Sequence, residues 1–444
     1  MLKLAAPVVI SELGWMAMGV VDTMMVGRIS AEAIGAVSIG GIAFHTVIVF
    51  GIGLLLGLDT LVARAYGAGK LDECHHSLLQ AVYVSLVLSP VLMGLAWLYI
   101  PFLRVWGIPS TVEAQAIPYM KALIWSVGPL MLYTAFRRYL QGMGSVRAIM
   151  VVLISANLVN VLANWALIFG HLGFPAFGTA GAGWATCISR TYMCVTLFGY
   201  ILYHERRHRT GLSSVSLLPD MAHIRSLLSL GLPAATQISL EFGVFAVATT
   251  LIGKLDPVSL ASHQIALNCA SVTFMVPLGI SSAGAVRVGH ALGRRDVAGA
   301  RAAGWVALLL GAAFMCGAAI VFFVVPRSIL RLYTTDAAVL ATGMSLLYIA
   351  ALFQISDGIQ VVATGILRGA GETRIPMLSN LVGHWFIGLP IAYVLGFPWG
   401  WGAQGVWVGL CVGLTAVAVV LLAVWSHKLC PDLDTPEGAY DSSQ

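Results

Sequence analysis

Three acids stand within long runs of otherwise mostly apolar and small residues: Asp22, Glu241 and Asp357. A charged carboxylate at the centre of a bilayer costs about 2.5–3.5 kcal/mol on insertion scales, so such a residue is kept neutral, paired or used. Glu241, in Ile-Ser-Leu-Glu-Phe-Gly-Val-Phe at 238–245, lies near the middle of the apolar run 227–253, and Asp357 lies near the middle of 343–367. If those helices are neighbours, the two acids share one depth, and two carboxylates in a low dielectric cannot both stay ionised. One proton or one cation would then be held between them. Gln237, one turn from Glu241, and Gln354, Ser356 and Gln360 around Asp357 supply polar partners. The plainer alternative is a hydrogen-bonded pair that locks two helices together.

Asp22 has a different setting. It lies about five residues before the end of the first run, roughly 7 Å deep at 1.5 Å per residue. The run 147–170 places Asn160 and Asn164 one turn apart at comparable depth, with Asn157 on a nearby face. An acid with two amides at one level fits a cation or proton site, although asparagine also joins membrane helices simply as glue. Arg190, near the middle of 179–203, meets the same bilayer penalty with opposite sign. Pairing with Asp22 or Glu12 would neutralise both partners, and a water-filled cavity would serve the arginine as well. Glu12 itself, nearer the span's start, has a packing or helix-start role as an equal reading.

Other chemistry has little support. His75 and His76 are adjacent, so on a helix they face different ways and cannot chelate together, while His171, His263, His290 and His384 fall near span ends and read as interfacial. The seven cysteines are scattered without metal-ligand spacing and read as small apolar packers. No phosphate loop, zinc signature or nucleophile elbow is present. The expectation is no enzyme activity, no cofactor and no use of ATP.

The elements that must position these residues are membrane helices. The chain is 59% hydrophobic and only 10% charged, with a mean hydropathy of +0.90, against a charged share of about 25% in soluble domains. Short polar breaks separate twelve apolar runs, each about as long as a helix needs to cross a bilayer. The fourth falls near 118–141 and the eleventh near 375–396. Most Lys and Arg, including Arg64, Arg137, Arg138, Arg207, Arg225, Arg294 and Arg368, fall in loops on one side, which by the positive-inside rule places both termini in the cytoplasm of an inner-membrane protein. That placement accounts for the net charge of +5 without any nucleic acid partner.

The runs come in two copies of one unit. Leu-Ala-Ala-Pro at 4–7 answers Leu-Gly-Leu-Pro at 230–233, and Val-Gly-Arg-Ile at 26–29 answers Ile-Gly-Lys-Leu at 252–255. Leu-Gln-Gly-Met-Gly at 140–144 likewise answers Leu-Arg-Gly-Ala-Gly at 367–371. Six spans per copy is an even number, so both copies enter the membrane from the same side, a parallel repeat of the kind secondary transporters use. The expected organisation is an N-terminal lobe at 1–203, a cytoplasmic linker at 204–226, a C-terminal lobe at 227–426 and an acidic cytoplasmic tail at 427–444.

Taken in order, these segments resemble the multidrug and toxic compound extrusion family. The likeness runs through Val-Asp-Thr-Met-Met-Val-Gly-Arg at 21–28, Ala-Tyr-Gly-Ala-Gly at 65–69, Leu-Glu-Phe-Gly at 240–243, Arg-Val-Gly-His-Ala-Leu-Gly at 287–293 and Asp-Gly-Ile-Gln at 357–360. The resemblance implies an all-helical polytopic protein whose two six-helix lobes form a V around a central cavity. It implies antiport of small organic, often cationic, compounds against protons or sodium by alternating access, in a monomer embedded in lipid. It carries a first-lobe cation or proton site onto Asp22, Asn160 and Asn164, with Thr186 matching a further first-lobe position, and a second-lobe site onto Glu241 and Asp357. Where bacterial relatives can carry a second acid, this chain has Asn164. Arg190, Gln237 and Gln360 remain secondary polar or substrate-facing positions. The rival reading is a flippase for a lipid-linked precursor, which would call for a strongly cationic cavity.

Overall fold

The computed structural model describes residues 1–106, 109–208, 211–212 and 215–428. The tail from 429 on, with Cys430, and Arg209 lie outside the described residues. Those described are helical with no strand, and eleven helical stretches among them are long and apolar enough to cross a membrane. The remaining expected span is built from two pieces, α5 and α6 below, and the buried arginines near its end lower its apparent apolarity.

The chain divides into two compact units, one of Ile10–Ala235 and one of Met1–Val9 together with the chain from Thr236 onward. The division into units falls inside two helices, α1 and α9 below. Both crossings follow a helix proline, Pro7 in one case and Pro233 in the other. These are the prolines that answer each other in the sequence repeat. Proline withdraws an amide from the helical ladder, which makes the helix softest where the chain passes from unit to unit.

The unit 10–235 contains most of α1 (Leu2–Val26), then α2 (Ala31–Leu54), α3 (Gly57–Gly67), α4 (Leu71–Tyr99), α5 (Ser110–Ile124), α6 (Val127–Gly142), α7 (Val146–Phe169) and α8 (Thr179–His208). Ser30 caps α2 by accepting from the Ala33 amide, and Gly170 closes α7 in the left-handed conformation at φ 77°. The opening turns of α9 (Met221–Gly253) also belong here. Gly231 presses against the Leu54 carbonyl and a Cβ on Gly53 would stand 2.6 Å from the Ala235 Cα, so neither position has room for a side chain.

In the other unit, α13 (Ala337–Gly369) packs against α10 (Pro257–Gly293), α11 (Val297–Val324) and α16 (Gly402–Lys428). Asp256, Asp296 and Asp336 cap α10, α11 and α13 through backbone amides. The short helix α12 (Pro326–Arg331) precedes α13. Between α14 (Arg374–Asn380) and α15 (Leu389–Gly396), residues Leu381–Gly388 form a π-helix where the sequence predicted an ordinary span. Its glycines Gly383 and Gly388 lie against the backbone of Gly413 and Gly409 in α16, a closeness that bulkier residues would forbid.

Two readings of charge and histidine are corrected. Arg137, Arg138 and Arg368 are not loop charges: they lie within α6 and α13 and are buried. Arg137 pairs with Glu12, and Arg138 bonds Asp59 at 3.2 Å. His263, His290 and His384, read as interfacial from their places near span ends, are buried within the protein and not on its surface. Trp407 donates to His263 Nδ1 at 3.0 Å, leaving Nε2 to face the Thr249 hydroxyl at 2.9 Å. His384 sits in the π-helix with both ring nitrogens buried and unpartnered among the described residues. His171 does fit a surface position, stacked on Trp165 at 4.2 Å.

Candidate functional site

Asp22 is carried by α1, Asn160 and Asn164 by α7, and Thr186 by α8, and the structure brings all four side chains into one cluster. Asp22 Oδ1 accepts from Asn160 Nδ2 at 3.0 Å and from Asn164 Nδ2 at 2.6 Å, while Oδ2 accepts from Thr186 Oγ1 at 2.8 Å. The amides are tied to each other, Asn164 donating to Asn160 Oδ1 at 3.1 Å. Their i, i+4 spacing places both on one face of α7. All four residues are buried. Three neutral donors converging on one carboxylate form a cradle for a negative charge. The Asn164 carbonyl oxygen, buried and unpartnered among the described residues, is left over as an acceptor. A carboxylate beside a spare carbonyl suits a hard cation, which takes oxygen ligands, and suits a proton equally.

Arg190 lies one turn beyond Thr186 on α8. It makes no ion pair with Asp22 or Glu12 among the described residues, because Glu12 is taken by Arg137. Its guanidinium donates to Ser126 Oγ at 2.6 Å and faces the rings of Phe44 at 5.1 Å and Trp15 at 5.8 Å. Ser126 is available because the chain breaks there between α5 and α6. A buried guanidinium held by one hydroxyl and two aromatic faces remains within electrostatic reach of Asp22 without neutralising it. Sequence reasoning missed Ser126, Trp15 and Phe44. The aromatic residues were visible as large side chains, but nothing in their spacing pointed to an arginine about 145 to 175 residues away.

The second constellation lies on α9 and α13. Glu241 and Asp357 are close enough to interact electrostatically, and the Gln360 side chain stands beside Glu241. No hydrogen bond joins the two carboxyl groups among the described residues. Gln360 Nε2 reaches Asn380 Oδ1 at 3.2 Å, and its own carbonyl oxygen is buried and unpartnered among them. Of the other predicted partners, Gln354 turns to Thr273 Oγ1 at 2.6 Å and Ser356 meets Thr415 at 2.9 Å. Gln237 is buried one turn before Glu241. Trp385, from the π-helix, donates to the Leu240 carbonyl at 3.1 Å and so fastens the backbone beside Glu241. That contact was not legible in the sequence, where Trp385 reads as one more apolar residue.

Comparison with known proteins is consistent along the chain. The MatE family model matches residues 7–166 and 233–394. A probable multidrug resistance protein NorM of Mesorhizobium japonicum is 34% identical over 434 residues, covering 96% of this chain and 93% of its own. The multidrug resistance protein PmpM of Pseudomonas aeruginosa is 36% identical over 426 residues, covering 95% and 89%. Among solved structures, the eukaryotic MATE transporter AtDTX14 superposes with a TM-score of 0.86 at 21% identity, covering 96% of both chains. An outward-facing multidrug resistance MATE family transporter of the MOP superfamily gives 0.86 at 19%, covering 96% of this chain and 95% of its own.

Proposed function

The chain belongs to the MatE family, and on that premise we propose that it exports small organic compounds, cations foremost, in exchange for protons or sodium ions by alternating access. It is a multi-pass membrane transporter and not an enzyme. The coupling groups in this reading are Glu241 and Asp357 in one unit, and Asp22 with Asn160 and Asn164 in the other. Thr186 and Gln360 orient the acids, and Arg190 and Gln237 contribute polar contacts near them. The protein works in the inner membrane as a monomer, with both termini cytoplasmic by the charge bias of its loops.

What supports the proposal is the placement of Glu241 on α9 and Asp357 on α13 of one unit, within electrostatic reach of each other and with Gln360 beside Glu241. Two like charges at short range in a low dielectric repel strongly, so the pair binds a proton or a cation from water and releases it when the surroundings change. Coupling then requires that the loaded and unloaded acids favour different facing states, because an ion that binds both states equally shifts nothing. We favour the proton, which two neighbouring carboxyls can share. The test is efflux of a cationic dye from vesicles reconstituted with the protein, under an imposed pH gradient and, separately, an imposed sodium gradient. Movement driven by one gradient names the ion. Stillness under both removes the cation-antiport reading and turns attention to a lipid-linked precursor as cargo.

A further inference from the structure

One cluster of metal-ligating side chains lies outside both sites. His76 stands in the second turn of α4, while Asp220 and His223 flank the start of α9. His76 Nε2 and His223 Nδ1 each lie 3.2 Å from the same oxygen, Asp220 Oδ2. The two imidazoles meet edge to face with centroids 4.5 Å apart, and the three ligating atoms all lie within 4.8 Å of one another.

The seat under this trio is built by one helix face. His76, Gln80 and Tyr83 follow each other at i, i+4 and i+7 on α4. Gln80 accepts from the Asp220 amide at 3.0 Å and donates to the Leu218 carbonyl at 3.4 Å, and the Tyr83 hydroxyl donates to the Leu217 carbonyl at 2.5 Å. The segment 217–220 is thus held by its backbone, independently of the histidines. Asp220 divides its carboxylate between two tasks. Oδ1 caps α9 by accepting from the Ala222 amide at 2.9 Å and the His223 amide at 3.3 Å, which leaves Oδ2 turned to the imidazoles.

We propose that His76, Asp220 and His223 form a binding site for a divalent transition metal of the zinc class, which clamps the opening turn of α9 onto α4. Ligands on a tetrahedral zinc at about 2.0–2.1 Å from the metal stand about 3.3 Å apart, close to the 3.2 Å that separates each nitrogen from the carboxylate oxygen here. Zinc would bind Nε2 of His76 and Nδ1 of His223 with the hydrogen of each neutral ring on its other nitrogen, and water would take the fourth position. The side chains are 20%, 39% and 36% exposed for His76, Asp220 and His223, open enough for an ion to enter. The assignment does not rest on the transport reading.

The test uses the full-length, tag-free protein in detergent, stripped with EDTA and titrated with zinc against a chromophoric indicator, then with cobalt. Wild type is expected to bind one zinc per chain at this site, to give the visible absorption of four-coordinate cobalt, and to melt at a higher temperature with zinc. His76→Gln and His223→Gln, which fill similar space without an imidazole, should each weaken binding at least tenfold and lose the cobalt band. Thermal denaturation without metal checks that both variants fold. Equal zinc affinity in wild type and the folded variants, or no stoichiometric binding in wild type, overturns the proposal.

Discussion

Asp22 and the pair Glu241 and Asp357 are acids in apolar surroundings, yet they are treated in opposite ways. Asp22 is met by three donors from two helices, so its charge has somewhere to go. Glu241 has the Gln360 side chain beside it and Asp357 within electrostatic reach, and no hydrogen bond among the described residues joins the two acids. In the proposed reading both sites take up a positive ion, but only the first has three donors that also steady the empty carboxylate. The contrast also separates what substitutions should do. Neutralising the pair should remove transport and spare the fold, whereas neutralising Asp22 should strain the fold itself.

The largest expected effect follows from that. Glu241→Gln should reduce gradient-driven dye efflux to the level of protein-free vesicles while shifting the melting temperature little, and Asp357→Asn should do the same. Full transport by Glu241→Gln would remove that residue from the mechanism. For Asp22→Asn, the new amide turns donors toward donors that already point inward, at a cost of about 3 kcal/mol, read as a drop in thermal stability in detergent. A drop no greater than that of Glu241→Gln would erase the distinction. Asn164→Ala removes two hydrogen bonds at once and should cost about 2 kcal/mol. Thr186→Val removes a single hydroxyl and should cost about 1 kcal/mol, with Thr186→Ser restoring the loss.

Hydropathy and the repeat made the helices, the parallel halves and the acids legible, because those signals are local or periodic. Asn160 and Asn164 could be matched to Asp22 because helical rise fixes depth. Direction and partnership were not legible. Arg137 reads as a loop charge until Glu12, 125 positions away, is seen beside it. His263 reads as interfacial until Trp407 closes over it. The π-helix at Leu381–Gly388 is not legible in hydropathy, although its glycines lie close to the α16 backbone and Pro390 follows it. The break at Ser126 does leave a trace, since Gly128-Pro129 follows it closely.

The two crossings inside α1 and α9 bear on how far the halves depend on each other. Each half lends its opening turns to the unit formed by the other, Met1–Val9 in one direction and the residues up to Ala235 in the other. This is arm exchange, and it is reciprocal, as the matching prolines Pro7 and Pro233 require. A single repeat on its own would be left without the turns that the other half contributes to its unit. Separately expressed halves, 1–212 and 215–444, should therefore be recovered folded only when made together.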